Sequence, residues 1–173
     1  MKQSTVIIGV IAILFATAGA WYGNHRSTPL QPEPVAVAAL FGQSLPDLAD
    51  KPQALAQWRG KPLLVNFWAT WCAPCVQEMP ELSVLQTEIG ESSLRIVGIG
   101  IDSAANMREF AKKLSITYPL VVGGMGGSEL SRQFGNQAGG LPFTVLIGAD
   151  GSIRKTYLGR LKIDEVRRDL RGM

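Results

Sequence analysis

Cys72 and Cys75 are the only two cysteines in the chain's 173 residues, and they are separated by Ala73 and Pro74 in the run Trp71-Cys72-Ala73-Pro74-Cys75. On the first turn of a helix this spacing puts the Cα atoms roughly 5–6 Å apart, within the span a disulfide tolerates. Such a pair can open and close with little backbone movement, which suits thiol–disulfide exchange. Only a thiolate attacks a disulfide. The unpaired N–H groups and positive dipole end at a helix amino terminus favour that charged form. Cys72, at the cap position, is the expected attacking sulfur, and Cys75, one turn on, the expected resolving sulfur.

The elements that must hold the pair there flank it directly. Leu63 to Trp68 is a near-continuous apolar run and reads as a strand buried on both faces, as in parallel α/β sheets. Beyond the cysteines, Val76, Met79, Leu82, Leu85 and Ile89 recur at helical spacing until Gly90 stops them. Pro74 suits the first helical turn, whereas Pro80, inside the helix, is expected to kink it. Trp68, within the strand, reads as core; Trp71, beyond it, reads as part of an exposed apolar rim for docking.

Farther out, Phe41 to Asp50 reads as an extended entry and Ala54 to Arg59 as a brief helix with Leu55 and Trp58 buried. Leu94 to Ile101 is a second strand, and Ser103 caps a helix whose stripe is Met107, Phe110, Ala111 and Leu114. Leu120 to Val122 is a short strand, Gly123 to Gly127 a flexible loop, and Glu129 to Phe134 a short helix. The glycine loop lacks the spacing of a phosphate-binding motif, so a nucleotide reading is set aside. Phe143 to Ile147 and Ile153 to Leu158 form a hairpin about Asp150-Gly151, and Ile163, Val166 and Leu170 stripe the last helix. Alternating strands and helices followed by a hairpin predict an α/β fold with a mixed central sheet flanked by helices.

The net charge of +3 is mild, and no basic run interleaved with aromatics points to nucleic acid. Seven basic residues between Arg154 and Arg171, mixed with Asp164, Glu165 and Asp169, read as a solvated face near anionic lipid. One histidine, His25, and two cysteines cannot complete a four-ligand zinc site within the chain, and no metal or cofactor is expected. After Lys2, residues 6–22 are uncharged and apolar. As a helix they would span about 26 Å against a hydrocarbon core of about 30 Å. An anchor with Lys2 inside is preferred to a signal cleaved near Ala18-Gly19-Ala20, and both export the remainder. The organisation expected is 1–22 anchor or signal, 23–40 a Pro-, Gln- and Ala-rich tether, and 41–173 the folded domain.

Three features carry a resemblance: Val65 to Cys75 followed by Glu78 and Pro80, the segment Gly140-Leu141-Pro142-Phe143-Thr144, and the hairpin–helix ending. With them the chain from about Phe41 resembles the thioredoxin superfamily, most closely its TlpA/ResA-like membrane-tethered thiol–disulfide oxidoreductases. The anchor and the extra helix–strand unit, about Ser103 to Val122, fit that exported branch. The resemblance implies a cis Leu141–Pro142 bond against the disulfide, with the Leu141 backbone offered to an extended substrate. Position alone makes Glu78 a solvent-facing residue, whereas the resemblance makes it a proton-exchange partner of Cys75. Where thioredoxins commonly carry a buried aspartate this strand has Asn66, which cannot relay a proton, so a side-chain acid–base would have to be Glu78. The resemblance further implies reduction of exported proteins at the periplasmic face of a bacterial inner membrane, with electrons from a membrane thiol carrier of the DsbD or CcdA type. Cytochrome c maturation is one task open to the family, but Asn136 to Phe143 departs from the GVxGxPETF-like segment of its CcmG branch. An oxidase or isomerase running in the opposite direction and a Cu(I)-delivery module remain the alternatives.

Overall fold

The computed structural model describes residues 34–172. A helix α1 (Val35–Phe41) leads into a two-stranded antiparallel sheet, β1 (Ser44–Pro46) with β2 (Pro52–Ala54), and a 3₁₀ turn, Leu55–Trp58. Then follow β3 (Leu63–Trp68), α2 (Ala73–Ile89), β4 (Arg95–Gly100), α3 (Ala104–Leu114), β5 (Leu120–Val122) and α4 (Gly124–Gln133). The chain ends in β6 (Phe143–Ile147), β7 (Ile153–Leu158) and α5 (Ile163–Leu170). The main sheet has the order β5-β4-β3-β6-β7, with β3, β4 and β5 parallel and β6 antiparallel to both neighbours. The α/β architecture read from the sequence, a mixed sheet between helices, is the observed one.

Period-two alternation sends the residues of β3 to two different cores. Leu63, Val65 and Phe67 pack with Val37 and Leu40 of α1 and Leu130 of α4. Leu64 and Trp68 pack on the other side with Met79 and Leu82 of α2, Met107 of α3 and Val166 of α5. As expected, the Ser103 hydroxyl caps α3, accepting from Asn106 N at 3.2 Å.

Two expectations change. Residues 35–40, read as tether from their proline and alanine content, form most of α1. Val37 and Leu40 are buried there. The Gly123 to Gly127 stretch is not a free loop, because α4 starts at Gly124. A Cβ on Gly123 would lie 2.6 Å from Ile99 Cγ2 and 3.0 Å from the Gly127 Cα, so glycine lets the helix start close against β4. The basic carboxy-terminal segment is also largely neutralised in place: Arg154 pairs with Asp150, Lys155 with Glu165 and Asp169, Arg160 with Glu81, and Arg167 with Glu88. Among the described residues no helix is long and apolar enough to cross a membrane; the run 6–22 lies outside them.

Candidate active site

The chain leaves the carboxyl end of β3 at Trp68, makes a turn closed by Cys72 N donating to Ala69 O at 3.2 Å, and enters α2. Cys72 is the N-cap residue, and its Sγ accepts from Cys75 N at 3.3 Å. The two sulfurs are joined in a disulfide across a Cα–Cα distance of 5.3 Å, inside the range set by the CxxC spacing. Cys72 keeps 5% of its surface accessible and Cys75 none. Beside them Trp71 is 69% exposed, whereas Trp68 is fully buried and packs against Phe110. Both tryptophans stand where the sequence put them.

The loop before β6 reaches the cysteines' cluster through Leu141. Its Leu141–Pro142 bond is cis, as the resemblance implied. Leu141 is half-buried and packs against the cluster that contains both cysteines, and Pro142 is buried with its carbonyl accepting from Gly159 N at 2.8 Å. This loop is held by a residue that no sequence motif singled out. Buried Asn136 brackets Gly140 with both ends of its amide, accepting from Gly140 N at 3.0 Å and donating to Gly140 O at 2.9 Å. An asparagine followed by closely spaced glycines was the available signal, since the side chain can stand in for backbone partners in a turn.

Glu78 is fully buried, not solvent-facing as its position alone indicated. Its face of α2 is set by Cys75, Met79, Leu82 and Leu85, which turns it toward β3. Asn66 Nδ2 donates to Glu78 Oε1 at 2.7 Å and to Thr144 Oγ1 at 2.9 Å, while Leu161 N donates to Glu78 Oε2 at 2.8 Å. Burial pushes the Glu78 carboxyl up to about 7, against the opposing pull of the Leu161 N–H, the Asn66 amide and the Arg160 charge. Tyr118, in the same cluster as the cysteines, has its hydroxyl pushed up by burial and by the nearby Glu78 charge. The site thus combines a capping cysteine that keeps a little accessible surface, a cysteine with none and, one helical turn past the second, a carboxyl raised to about 7.

A mixed five-stranded sheet with a CxxC disulfide at the junction of its central strand and the following helix defines a thioredoxin-like thiol–disulfide oxidoreductase. The Redoxin family model matches residues 34–170, and the chain belongs to that family, as a ResA/TlpA-like member of the thioredoxin superfamily. It is 26% identical to the thiol–disulfide oxidoreductase ResA of Geobacillus thermodenitrificans over 99% of this chain and 98% of that protein. It is 30% identical to the thioredoxin-like protein YneN of Bacillus subtilis over 95% of each chain. Among solved structures, a thioredoxin-related protein from Neisseria meningitidis serogroup B superposes with a TM-score of 0.66 at 30% identity, covering 73% of this chain and 96% of that one.

Proposed function

We propose that the protein reduces disulfides of exported proteins, with Cys72 as nucleophile, Cys75 as resolving thiol and Glu78 as proton acceptor for Cys75. The asymmetry of the disulfide carries the reading: Cys72, at the helix cap, keeps 5% of its surface accessible, and Cys75 is sealed one turn below with none, on the same helix as the neutral-range carboxyl. In the reduced protein the Cys72 thiolate attacks a client disulfide, forming a mixed disulfide and releasing one client thiolate, which takes a proton from water. Cys75 gives its proton to the Glu78 carboxylate and attacks Cys72 Sγ. The second client thiol leaves, and the Cys72–Cys75 disulfide remains. Two electrons pass to the client. Trp71, Leu141 and Pro142 supply the surface on which an extended client segment lies.

Regeneration needs two electrons from outside the fold, and a membrane thiol carrier of the DsbD or CcdA type fits an exported dithiol. Apocytochrome c, which must present reduced cysteines to haem, is one client of suitable chemistry. Residues 6–22 as an inner-membrane anchor, followed by a proline-rich tether, would hold the domain on the periplasmic side.

Cys75→Ala tests the roles directly: in cells it should leave clients joined to Cys72, recoverable by mass spectrometry of non-reducing gel bands. Mixed disulfides with Cys72→Ala instead would reverse the two assignments. The direction of flow is read from the reduction potential, and a value near that of strong oxidants such as DsbA, about −120 mV, would replace the reductase with an oxidase.

A further inference from the structure

One carboxylate near the redox turn takes no part in the exchange chemistry. Asp102 lies just past the carboxyl end of β4 and receives four hydrogen bonds. Its Oδ2 accepts from Thr70 N at 3.2 Å and from the Thr70 hydroxyl. Its Oδ1 accepts from Ser103 N at 2.6 Å and Asn106 Nδ2 at 2.9 Å, at the start of α3. One oxygen therefore serves the turn that carries Cys72, and the other serves the helix of the extra helix–strand unit. Beside it, Ile101 N donates to Trp68 O at 2.7 Å, tying the exits of the two parallel strands together.

We propose that Asp102 is a positioning residue for Cys72: by clamping Thr70 it holds the turn so that Cys72 Sγ stays on the N-cap of α2, and it couples that geometry to α3. Burial raises the Asp102 pKa, but the donors from Thr70, Asn106 and Ser103 outweigh it and hold the carboxyl below its usual value, so the clamp stays ionised at neutral pH. The helix amino end stabilises a thiolate only while the sulfur remains in line with the Cys75 N–H, here 3.3 Å away. The other ionisable side chains packed in the cysteine cluster or bonded to its edge include Glu78, Tyr118 and Tyr157, the last bonded to Asp169 and covered by Lys155, with Arg160 outside paired to Glu81.

The inference rests on the reading of Cys72 as nucleophile, yet its test reads Cys72 alone. In a Cys75→Ala background, thiolate absorbance at 240 nm is titrated for the parent, Asp102→Ala, Asp102→Asn and Thr70→Val. Removing a negative charge by itself would lower the Cys72 pKa, whereas releasing the cap raises it, so the sign of the change separates charge from position. Asp102→Ala is expected to raise the pKa by about 0.5 or more, equivalent to about a threefold loss of thiolate below the pKa. Thr70→Val should move it in the same direction by less. Asp102→Asn, which loses the charge but keeps an acceptor for Thr70, should restore it to the parent value or slightly below, and Thr70→Val with Asp102→Ala should be no worse than Asp102→Ala alone. A lowered or unchanged pKa in Asp102→Ala, or a failure of Asp102→Asn to restore it, overturns the proposal. If Asp102→Ala does not fold, the titration of Thr70→Val decides it. Trapping of clients on Cys75 rather than Cys72 would overturn the roles proposed above while leaving this titration readable.

Discussion

The two faces of the central sheet are built on different terms. Toward α1 and α4 the buried side chains of the strands are all apolar, among them Val65, Phe67, Val97, Ile99, Phe143 and Val145. Toward α2 and α3 the alternate residues of the same strands include Asn66 and Thr144, both fully buried, and Gly98 and Gly100. The space over Gly100 is taken by Met107, and that over Gly98 by Leu120 and Trp68. The polar pair sits where Glu78 comes down from α2. A strand's two-residue period lets Leu63, Val65 and Phe67 serve stability while Leu64, Asn66 and Trp68 serve the site. A carboxyl with no solvent access is costly to hold ionised, and the apolar core on the other face supplies part of the packing that offsets it.

The largest expected effect lies on the apolar face. Phe67 stacks at tilted angles with Phe134 and Phe143, at centroid distances of 6.3 and 6.1 Å. Phe67→Ala should lower the unfolding free energy by about 3–5 kcal/mol in urea titrations. The loss should be the same at pH 5 and pH 8. A difference above about 1 kcal/mol between the two would mean that the faces are electrostatically coupled, and the contrast would fail.

The polar face should show the opposite behaviour. The Glu78 carboxyl is raised from 4.5 to about 7 by folding, so between these values the folded chain holds a proton that the unfolded chain has released. That contribution is complete below pH 4.5 and is lost as pH rises through 7. In the oxidised protein the fall amounts to at most about 3.5 kcal/mol, at about 1.4 kcal/mol for each pH unit between the two values. In Glu78→Gln this part of the pH slope should vanish. The variant should also be less stable than the parent at pH 5, because its NH₂ must face either the Asn66 amide donor or the Leu161 N–H. An unchanged slope in Glu78→Gln would assign the titration to another group.

This contrast was half visible in the sequence. The apolar letters of LLVNFW and the helical recurrence after Cys75 placed the strand, the helix and the disulfide, because burial of apolar residues has a period that a sequence displays. Glu78 did not register as buried, since a carboxylate carries no hydrophobic signal and its partners, Asn66, Thr144 and the Leu161 backbone, are distant in sequence. The bond of Asp102 to Thr70 escaped for the same reason, being 32 residues away, whereas Asn136 bonds Gly140 only four residues on, a local turn signal that the sequence did display. The glycines before α4 misled in the other direction. Glycine reads as a breaker, but here its missing Cβ lets a helix begin against Ile99.

The smallest effect offers the sharpest comparison, because neighbouring residues of β6 face opposite ways. Thr144 Oγ1 accepts from Asn66 Nδ2 at 2.9 Å, while Val145 packs in the apolar core. Threonine and valine differ little in shape, so Thr144→Val and Val145→Thr exchange a methyl and a hydroxyl at adjacent sites. Thr144→Val removes an acceptor but leaves Asn66 Nδ2 its bond to Glu78, and should cost about 1 kcal/mol. Val145→Thr buries a hydroxyl among apolar side chains and should cost about 1–3 kcal/mol. Only Thr144→Val should also raise the pH midpoint of the Glu78 titration. Asn66 Nδ2 keeps its bond while Glu78 is ionised; once Glu78 is protonated, an Asn66 amide freed from Thr144 can turn and present Oδ1, which has no hydrogen-bond partner among the described residues, to the acid proton, which favours the neutral form. A midpoint moved equally by both substitutions would show that the titration follows general loosening of β6, not the polar network on one face of it.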